Sequence, residues 1–304
     1  MDNTKPIIDL SVGDILQYSK SEGDLEQSSA FLVNRASLGT KVHQKIQNRR
    51  PSQYHSEVPV YLKCEENNYI LNISGRIDGL VQNDDGLIIE EIKSTLLSKN
   101  KLSDDLFPDH WLQAQLYAYM IHGRYPYSDI TIRICYGILP EIREVVFEKI
   151  FTYFEIVDII ESKLAIIKLW IENYLCWISE RDRSIKDLNF PFSDLRSGQE
   201  EMIEAVRSNL NSDNNLILQA PTGSGKTIAI LFAAVKSAAV RNIEKIFYLT
   251  AKTTGKNEAV ENLAILLDSG LKMRAISLTA KEKICMRPGS LCHISECEYA
   301  GGYY

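Results

Sequence analysis

The chain has 304 residues, which is enough for about two domains. Hydrophobic residues make up 45% and charged residues 24%, a balance typical of globular proteins rather than of disordered chains. The formal net charge of −6 argues against a uniformly basic surface, so any nucleic-acid contact has to come from local basic patches. No apolar run is long enough to cross a bilayer, and the polar residues after Met1 do not form a secretory signal. We therefore expect a cytoplasmic protein with no membrane partner.

The first half of the chain predicts a mixture of helices and strands. A helix is expected over residues 29–50, and it should end there because Pro51 cannot continue a helix. Asn83-Asp84-Asp85-Gly86 is typical of a hairpin turn between two strand-like runs. The expected strands are 57–63, 69–82, 86–93, 130–138 and 143–150, and the other expected helices are 109–122 and 153–181.

Residues 181–195 interrupt this pattern, because they are charged and contain Pro191. We place the domain boundary there and expect one domain over 1–185 and a second over 186–304. The second half alternates helices and strands, which indicates a parallel sheet covered by helices. Its expected elements are helix 196–210, strand 215–219, helix 226–240, strand 245–250 and helix 254–268. The predicted fold class is α/β.

A phosphate-binding loop lies between strand 215–219 and helix 226–240. Gly223 and Gly225 allow the backbone N–H groups to form an anion nest, and the helix contributes the positive end of its dipole. Lys226 would reach the β- and γ-phosphates of ATP, and Thr227 would place its hydroxyl on Mg²⁺. The complete predicted loop is Ala220, Pro221, Thr222, Gly223, Ser224, Gly225, Lys226 and Thr227.

The residues around this loop resemble superfamily 2 DNA helicases of the XPD/DinG type. The first loop position is Ala220 rather than Gly, as is common in that superfamily. Leu195–Met202 is similar to the segment before the loop, in which the resemblance implies that Gln199 reads the adenine edge. Tyr248–Thr253 is similar to motif Ia, which touches the DNA backbone in those helicases; considered without the resemblance, it is an ordinary solvated strand end.

Three of the six cysteines are crowded near the end of the sequence, at Cys285, Cys292 and Cys297. In a reducing cytoplasm such a group favours metal ligation over disulfides. The spacing also permits a zinc site that includes His293, or unligated thiols. The resemblance to XPD/DinG-type helicases implies the start of an inserted 4Fe–4S cluster domain, with a fourth ligand expected beyond Tyr304. The other cysteines, Cys64, Cys135 and Cys176, are expected to be buried core thiols.

A group of acidic and basic residues in the first half indicates metal-dependent phosphodiester chemistry. Asp78 lies on one strand of the predicted hairpin, and Glu91 and Lys93 lie on its partner. Residues two apart in a strand share a face, so Glu91 and Lys93 point the same way and Asp78 can approach them. The two carboxylates would hold Mg²⁺ or Mn²⁺, and the lysine would orient the attacking water.

This arrangement resembles the PD-(D/E)XK nuclease core, specifically its RecB-like branch. The segment Gly39–His43 is similar to the first motif of that branch, which implies that His43 is a third metal ligand. Gln115 and Tyr119 are similar to the Q-x-x-x-Y motif on the helix after the catalytic hairpin. The two residues are one turn apart and share a helix face, so both are expected to point at the site.

Two functional hypotheses follow. The first is an enzyme, an ATP-dependent DNA helicase with a fused metal-dependent nuclease, which acts on single-stranded or forked DNA in repair or defence. The second is a truncated chain that binds nucleotide and DNA without unwinding, because the sequence ends before the Walker B motif and the second helicase lobe. A nuclease-like domain that only grips DNA is a further alternative.

Overall fold

The computed structural model describes residues 5–18, 32–83, 86–212, 214–241, 243–289 and 296–300. The chain divides into two compact units, one of residues 1–168 with 287–304 and the other of residues 169–286. The division lies inside a long helix, earlier in the chain than the predicted boundary between residues 185 and 186. That boundary remains a prediction about domains.

The first unit is a six-stranded mixed sheet with helices, in agreement with the predicted α/β class. Most predicted elements are present, and two short ones, β1 and α1, were not predicted. In chain order the elements are β1 (Ile7–Ser11), α1 (Val12–Tyr18), α2 (Leu32–Gln47), β2 (Tyr54–Glu65), β3 (Ile70–Asn83), β4 (Gly86–Thr95), α3 (Pro108–Ile121), β5 (Asp129–Ile138), β6 (Arg143–Thr152) and α4 (Tyr153–Asp187). Helix α4 continues into the second unit.

Strand β3 is the centre of the sheet and pairs with three other strands. Antiparallel β2 runs along one edge of it, from residue 70 to residue 81. The opposite edge is shared by parallel β1, at residues 70–74, and antiparallel β4, at residues 79–83. Residues 75–78 therefore lie between β1 and β4 on that edge, without a ladder partner there. The sheet is completed by β5, parallel to β4, and β6, antiparallel to β5.

The two faces of β4 are covered by different helices. Ile92 packs in a buried cluster with Val42 and Ile46 of α2 and with Cys135 of β5. The side chains of neighbouring strand residues point to opposite faces, so Lys93 lies on the other side. There its ammonium contacts α3. One face of β4 is therefore turned toward α2 and the other toward α3.

The second unit contains the C-terminal part of α4 and the helices α5 (Gln199–Ser212), α6 (Lys226–Arg241), α7 (Thr253–Asp268) and α8 (Lys281–Ile284). Its core is formed by Ile185, Leu188, Ile228, Leu231, Val235, Ala238, Leu266 and Leu271. None of the helices in the described part of the chain combines the length and the apolar character that crossing a membrane requires.

The prediction of two strands in this unit is wrong. Residues 215–219 and 245–250 are irregular, and the described residues of the unit include no strand. Helices form through hydrogen bonds between near neighbours, whereas a parallel strand needs partners from elsewhere in the chain and burial on both faces. Here Ile217 is 97% exposed and Leu249 is 88% exposed, so neither condition is met.

Candidate functional site

The first candidate site lies where the hairpin of β3 and β4 opens. The last paired residues are Gly79 and Glu90, and Asp78 is the next residue of β3. The Asp78 carboxylate accepts a hydrogen bond of 2.7 Å from the backbone N–H of Ile92. A side chain therefore satisfies a backbone donor of β4 at the point where the ladder with β3 ends.

His43 of α2 lies beside this carboxylate. Its Nδ1 lies 3.3 Å from Oδ1 of Asp78. Burial favours the neutral imidazole, but the hydrogen bond to Asp78 and the negative charges of Asp78 and Glu91 outweigh it, so the pKa of His43 is raised. The ring therefore lies in a negative environment, which also favours a bound cation.

Glu91 and Lys93 are adjacent on one face of β4. The Lys93 ammonium lies 2.7 Å from Oε1 of Glu91. Glu91 is almost completely buried, and burial raises its pKa to about 7 although Lys93 acts in the opposite direction. Its other oxygen, Oε2, is buried and accepts no hydrogen bond from the described residues. A buried carboxylate oxygen without a donor is costly unless a cation is bound nearby.

Glu57 is a member of the site that the sequence did not reveal. The pairs Ser56–Gly79 and Val58–Ile77 leave Glu57 opposite Asp78, and its φ of 57° lies in the left-handed region. Its Oε1 accepts a 2.9 Å hydrogen bond from the side chain of Gln47, which also donates to the Asp78 carbonyl. Strained non-glycine residues of this kind occur where the surrounding structure holds them, often at functional sites. Its only sequence signal is a carboxylate at the start of an apolar strand.

One ligand atom from each of His43, Glu57 and Asp78 lies within 4.8 Å of the others. An imidazole nitrogen and carboxylate oxygens are suitable ligands for Mn²⁺, and the carboxylates suit Mg²⁺. Two members of the predicted ligand set, His43 and Asp78, belong to this group together with Glu57, whereas the predicted ligand Glu91 is not part of it. Glu91 interacts with the group electrostatically, since its pKa responds to both His43 and Asp78.

The glutamine and tyrosine of α3 that reach Lys93 are not the predicted pair. Lys93 donates a 2.9 Å hydrogen bond to Gln113, and Gln113 donates a 3.1 Å bond to the hydroxyl of Tyr117. Tyr119 instead donates to Glu161 of α4, and Gln115 is buried. A two-residue offset rotates a helical side chain by about 200°, so the predicted pair has the correct spacing on the wrong face.

Glu90, the neighbour of Glu91, lies on the opposite face of β4 in an ion-pair network. Arg50 binds both of its oxygens, at 3.0 and 2.9 Å, and Tyr54 donates to it at 2.8 Å. Arg50 also reaches Glu144, at 2.8 Å. Tyr54 crosses directly over Gly79, where an added Cβ would lie 1.9 Å from the tyrosine oxygen. Gly79 is therefore a mid-strand glycine required by close approach, not the turn residue that an Asp-Gly pair suggests.

The second candidate site is the predicted phosphate-binding loop at the start of α6. Gly223 and Gly225 have φ values of 77° and 73°, which residues with a side chain rarely adopt. The Lys226 ammonium donates to the carbonyls of Ala220, at 3.1 Å, and Pro221, at 2.6 Å. Ser224 donates to the same Pro221 carbonyl. Phosphate oxygens could replace these carbonyls as acceptors for Lys226.

Gln199 and Arg196, which precede this loop in the chain, both contact it. Gln199 is 2% exposed, and its amide donates to the Gly225 carbonyl at 3.3 Å. Arg196 donates to the Gly223 carbonyl at 2.7 Å. Both residues therefore support the loop from the start of α5. Thr222, the remaining predicted loop residue, is exposed.

Thr227 is 8% exposed, and its hydroxyl donates a 2.7 Å hydrogen bond to Oε1 of Glu258 on α7. No sequence motif indicates this partner. A carboxylate thus lies one hydrogen bond away from the hydroxyl that is expected to face Mg²⁺.

The predicted cysteine cluster is only partly covered by the described residues. Cys285 is half-buried and Cys297 is buried, and neither forms a disulfide within the described residues. Cys292 and His293 lie outside the described residues. Of the other three cysteines, Cys135 is buried as expected, Cys64 is half-buried and Cys176 is exposed.

Comparison with known proteins bears on the part of the chain that carries the phosphate-binding loop. Residues 192–284 match the family described as "Type III restriction enzyme, res subunit". No curated protein matches the sequence. Among solved structures, "Crystal structure of SSO0001" is similar at 16% identity over 54% of this chain and 77% of that chain, with a TM-score of 0.32. That similarity is too low to assign a fold. The family match supports a helicase-type domain over residues 192–284.

Proposed function

We propose that this helicase-type ATPase carries a fused, metal-dependent DNA nuclease and acts in DNA repair or defence. The nuclease proposal rests on the burial of the Glu91 carboxylate and on the lack of a donor, within the described part of the chain, for one of its oxygens. Glu91 is 2% exposed, its Oε2 has no donor among the described residues, and its pKa responds to the charges of Asp78 and His43. Structural carboxylates in protein cores are normally fully paired, so a cation is the natural partner of this oxygen.

The side chains present fit a divalent cation. His43, Glu57 and Asp78 would hold it, and the Glu91 carboxylate, whose pKa responds to both His43 and Asp78, would add negative charge beside it. A bound Mg²⁺ or Mn²⁺ would supply an activated water and neutralise the charge that develops on the phosphate. Oxygen-rich donors with one imidazole favour these ions over metals that prefer thiolates.

The residues of β4 and α3 provide the remaining chemistry. The Lys93 ammonium is held between Glu91 and Gln113, so its position is fixed from two sides. In that position it can donate to a water or to a phosphate oxygen and balance negative charge. Gln113 in turn is fixed by Tyr117. These contacts support roles for Gln113 and Tyr117 as positioning residues.

The test is DNA cleavage by the full chain with EDTA, Mg²⁺ or Mn²⁺, on single- and double-stranded substrates. We expect cleavage only with a divalent ion, loss of cleavage in Asp78→Asn, and bound metal without cleavage in Lys93→Ala. Equal cleavage by Asp78→Asn and the wild-type chain would show a contaminating nuclease. Metal-independent DNA binding without cleavage would support the alternative of a domain that only grips DNA.

For the second unit we propose ATP binding at the loop of residues 220–227, with Gln199 at the nucleotide and single-stranded or forked DNA as the partner. The glycine geometry and the contacts of Lys226 support this proposal. The second hypothesis for this polypeptide is nucleotide and DNA binding without unwinding. Strand displacement on a forked substrate with ATP separates the two hypotheses.

We also propose that the segment after α8 belongs to a 4Fe–4S cluster site of the XPD/DinG type. Cys285, Cys292 and Cys297 would supply three thiolates. Two of these thiols are at least partly shielded from solvent, which suits ligation by a cluster. Thiolates also bind zinc, so the metal has to be identified by analysis.

A further inference from the structure

Glu258 of α7 is a polar residue at the phosphate-binding loop that no motif explains. Its Oε1 accepts the hydroxyl proton of Thr227 at 2.7 Å. The two residues are 31 positions apart in the chain, so the contact depends on the packing of α7 beside α6. Glu258 itself is exposed, whereas Thr227 is buried. A long exposed carboxylate therefore reaches inward to a buried hydroxyl.

The hydrogen bond to Glu258 fixes the orientation of the Thr227 hydroxyl. A threonine hydroxyl has one proton and two lone pairs, and its rotor is free unless a partner holds it. When the proton is donated to Glu258, the lone pairs are left for another partner. Thr227 is the residue of the loop that is expected to place its oxygen on Mg²⁺.

We propose that Glu258 is a positioning residue for the magnesium–nucleotide complex: it fixes the Thr227 hydroxyl so that its oxygen can face the cation. This inference rests on the proposed nucleotide binding at residues 220–227. Partners that orient a metal ligand commonly contribute about 10- to 100-fold to metal affinity. The carboxylate also adds negative potential at the position where the cation binds.

Other acidic residues of α7 do not share this arrangement. Glu261 lies three residues further along the same helix and is exposed, and none of its hydrogen bonds involves Thr227, whose hydroxyl donates to Glu258. Glu261 therefore provides a matched control, because its replacement removes the same charge from the same helix without removing the contact with Thr227.

The experiment measures the affinity of the full chain for ADP by calorimetry, in EDTA and across a series of free Mg²⁺ concentrations. We expect Glu258→Ala to bind ADP in EDTA within about twofold of the wild-type chain but to need at least about tenfold more Mg²⁺ for its effect on affinity. Glu258→Gln keeps an acceptor oxygen for Thr227 and should recover most of the loss. Glu261→Ala should behave as the wild-type chain in both measurements. Equal Mg²⁺ dependence of Glu258→Ala and Glu261→Ala would overturn the proposal.

A double-mutant cycle keeps the proposal testable if Glu258→Ala also loosens the packing of α7. In a Thr227→Val background, removal of Glu258 should cause no further loss of Mg²⁺ affinity, because the hydroxyl through which it acts is already absent. An equal loss in both backgrounds would show that Glu258 acts independently of Thr227, which contradicts the proposal. If the wild-type chain bound no nucleotide at all, the proposed function itself would fail, and the role of Glu258 with it.

Discussion

Glu90 and Glu91 are consecutive residues of β4, yet their carboxylates lie on opposite faces of the sheet in opposite electrostatic conditions. Glu90 is 1% exposed and is bound by Arg50 through both oxygens. Glu91 is as deeply buried, but one of its oxygens has no donor among the described residues. The first carboxylate supports the fold, and the second is assigned to the proposed metal site.

We expect opposite effects when each is changed to glutamine. Glu90→Gln leaves Arg50 with one carboxylate fewer in a buried network and should cost about 3 to 5 kcal/mol. Glu91→Gln removes a buried charge with an unsatisfied oxygen and should leave stability unchanged or raise it. Thermal unfolding in EDTA measures both. A larger loss of Tm in Glu91→Gln than in Glu90→Gln would contradict this assignment.

A second prediction concerns Gly79, over which Tyr54 passes. An alanine Cβ there would overlap the tyrosine hydroxyl, so Gly79→Ala must displace the ring and break its bond to Glu90. We expect a loss of about 1 to 3 kcal/mol. Gly123→Ala is the control, since a Cβ at that position meets nothing within 4 Å. Similar melting temperatures for the two variants would show that Tyr54 is not held as described.

The third prediction compares the two glutamines of α3. Gln113→Ala removes one of the two contacts of the Lys93 ammonium and should slow metal-dependent cleavage by about ten- to a hundredfold. Gln115→Ala should leave the cleavage rate of the folded chain nearly unchanged. Circular dichroism establishes that both variants fold. Slower cleavage by Gln115→Ala than by Gln113→Ala would show that Gln115 rather than Gln113 belongs to the site.

The fourth prediction tests the phosphate-binding loop. Lys226→Ala should abolish ATP binding, because the ammonium and the backbone nest act together on the phosphates. Lys245→Ala removes the same charge from an exposed position of the same unit and should bind ATP normally. Isothermal calorimetry with Mg²⁺ and ATP makes the comparison, and equal affinities for Lys226→Ala and the wild-type chain would refute the assignment.

The fifth prediction is that protein purified without oxygen contains iron and acid-labile sulfide. Cys285→Ser should lower both contents, whereas Cys176→Ser, at an exposed cysteine of α4, should not. Elemental analysis decides the question. Zinc without iron would show that the cysteines form a zinc site instead.

The sequence predicts Asp78, Glu91 and Lys93 because their relation is local. The hairpin turn fixes the register of β3 and β4, and strand alternation then fixes which residues share a face. Gln113 could not be chosen over Gln115 in this way. Both glutamines are followed by a tyrosine four residues later, and only the packing of α3 decides which pair faces Lys93.

The conformation of Glu57, and that of the two segments predicted as strands, depend still more on contacts with residues distant in the chain. The left-handed conformation of Glu57 accompanies a hydrogen bond that its carboxylate accepts from Gln47 of α2, and no local pattern encodes this contact. Segments 215–219 and 245–250 have the apolar runs of buried strands. A run of this kind specifies that a segment can enter a sheet, but the partner strands determine whether it does.

The placement of the proposed metal ligands on regular elements, next to the opening between β1 and β4, has a consequence for how the protein tolerates insertions. The proposed ligands Glu57 and Asp78 are carried by strands, and His43 by a helix, rather than by surface loops. Their spacing is therefore set by the hydrogen-bonded sheet and is insensitive to the length of the connections between strands. Insertions between β2 and β3 or at the tip of the β3–β4 hairpin can alter what the protein recognises while the ligands stay where the sheet holds them.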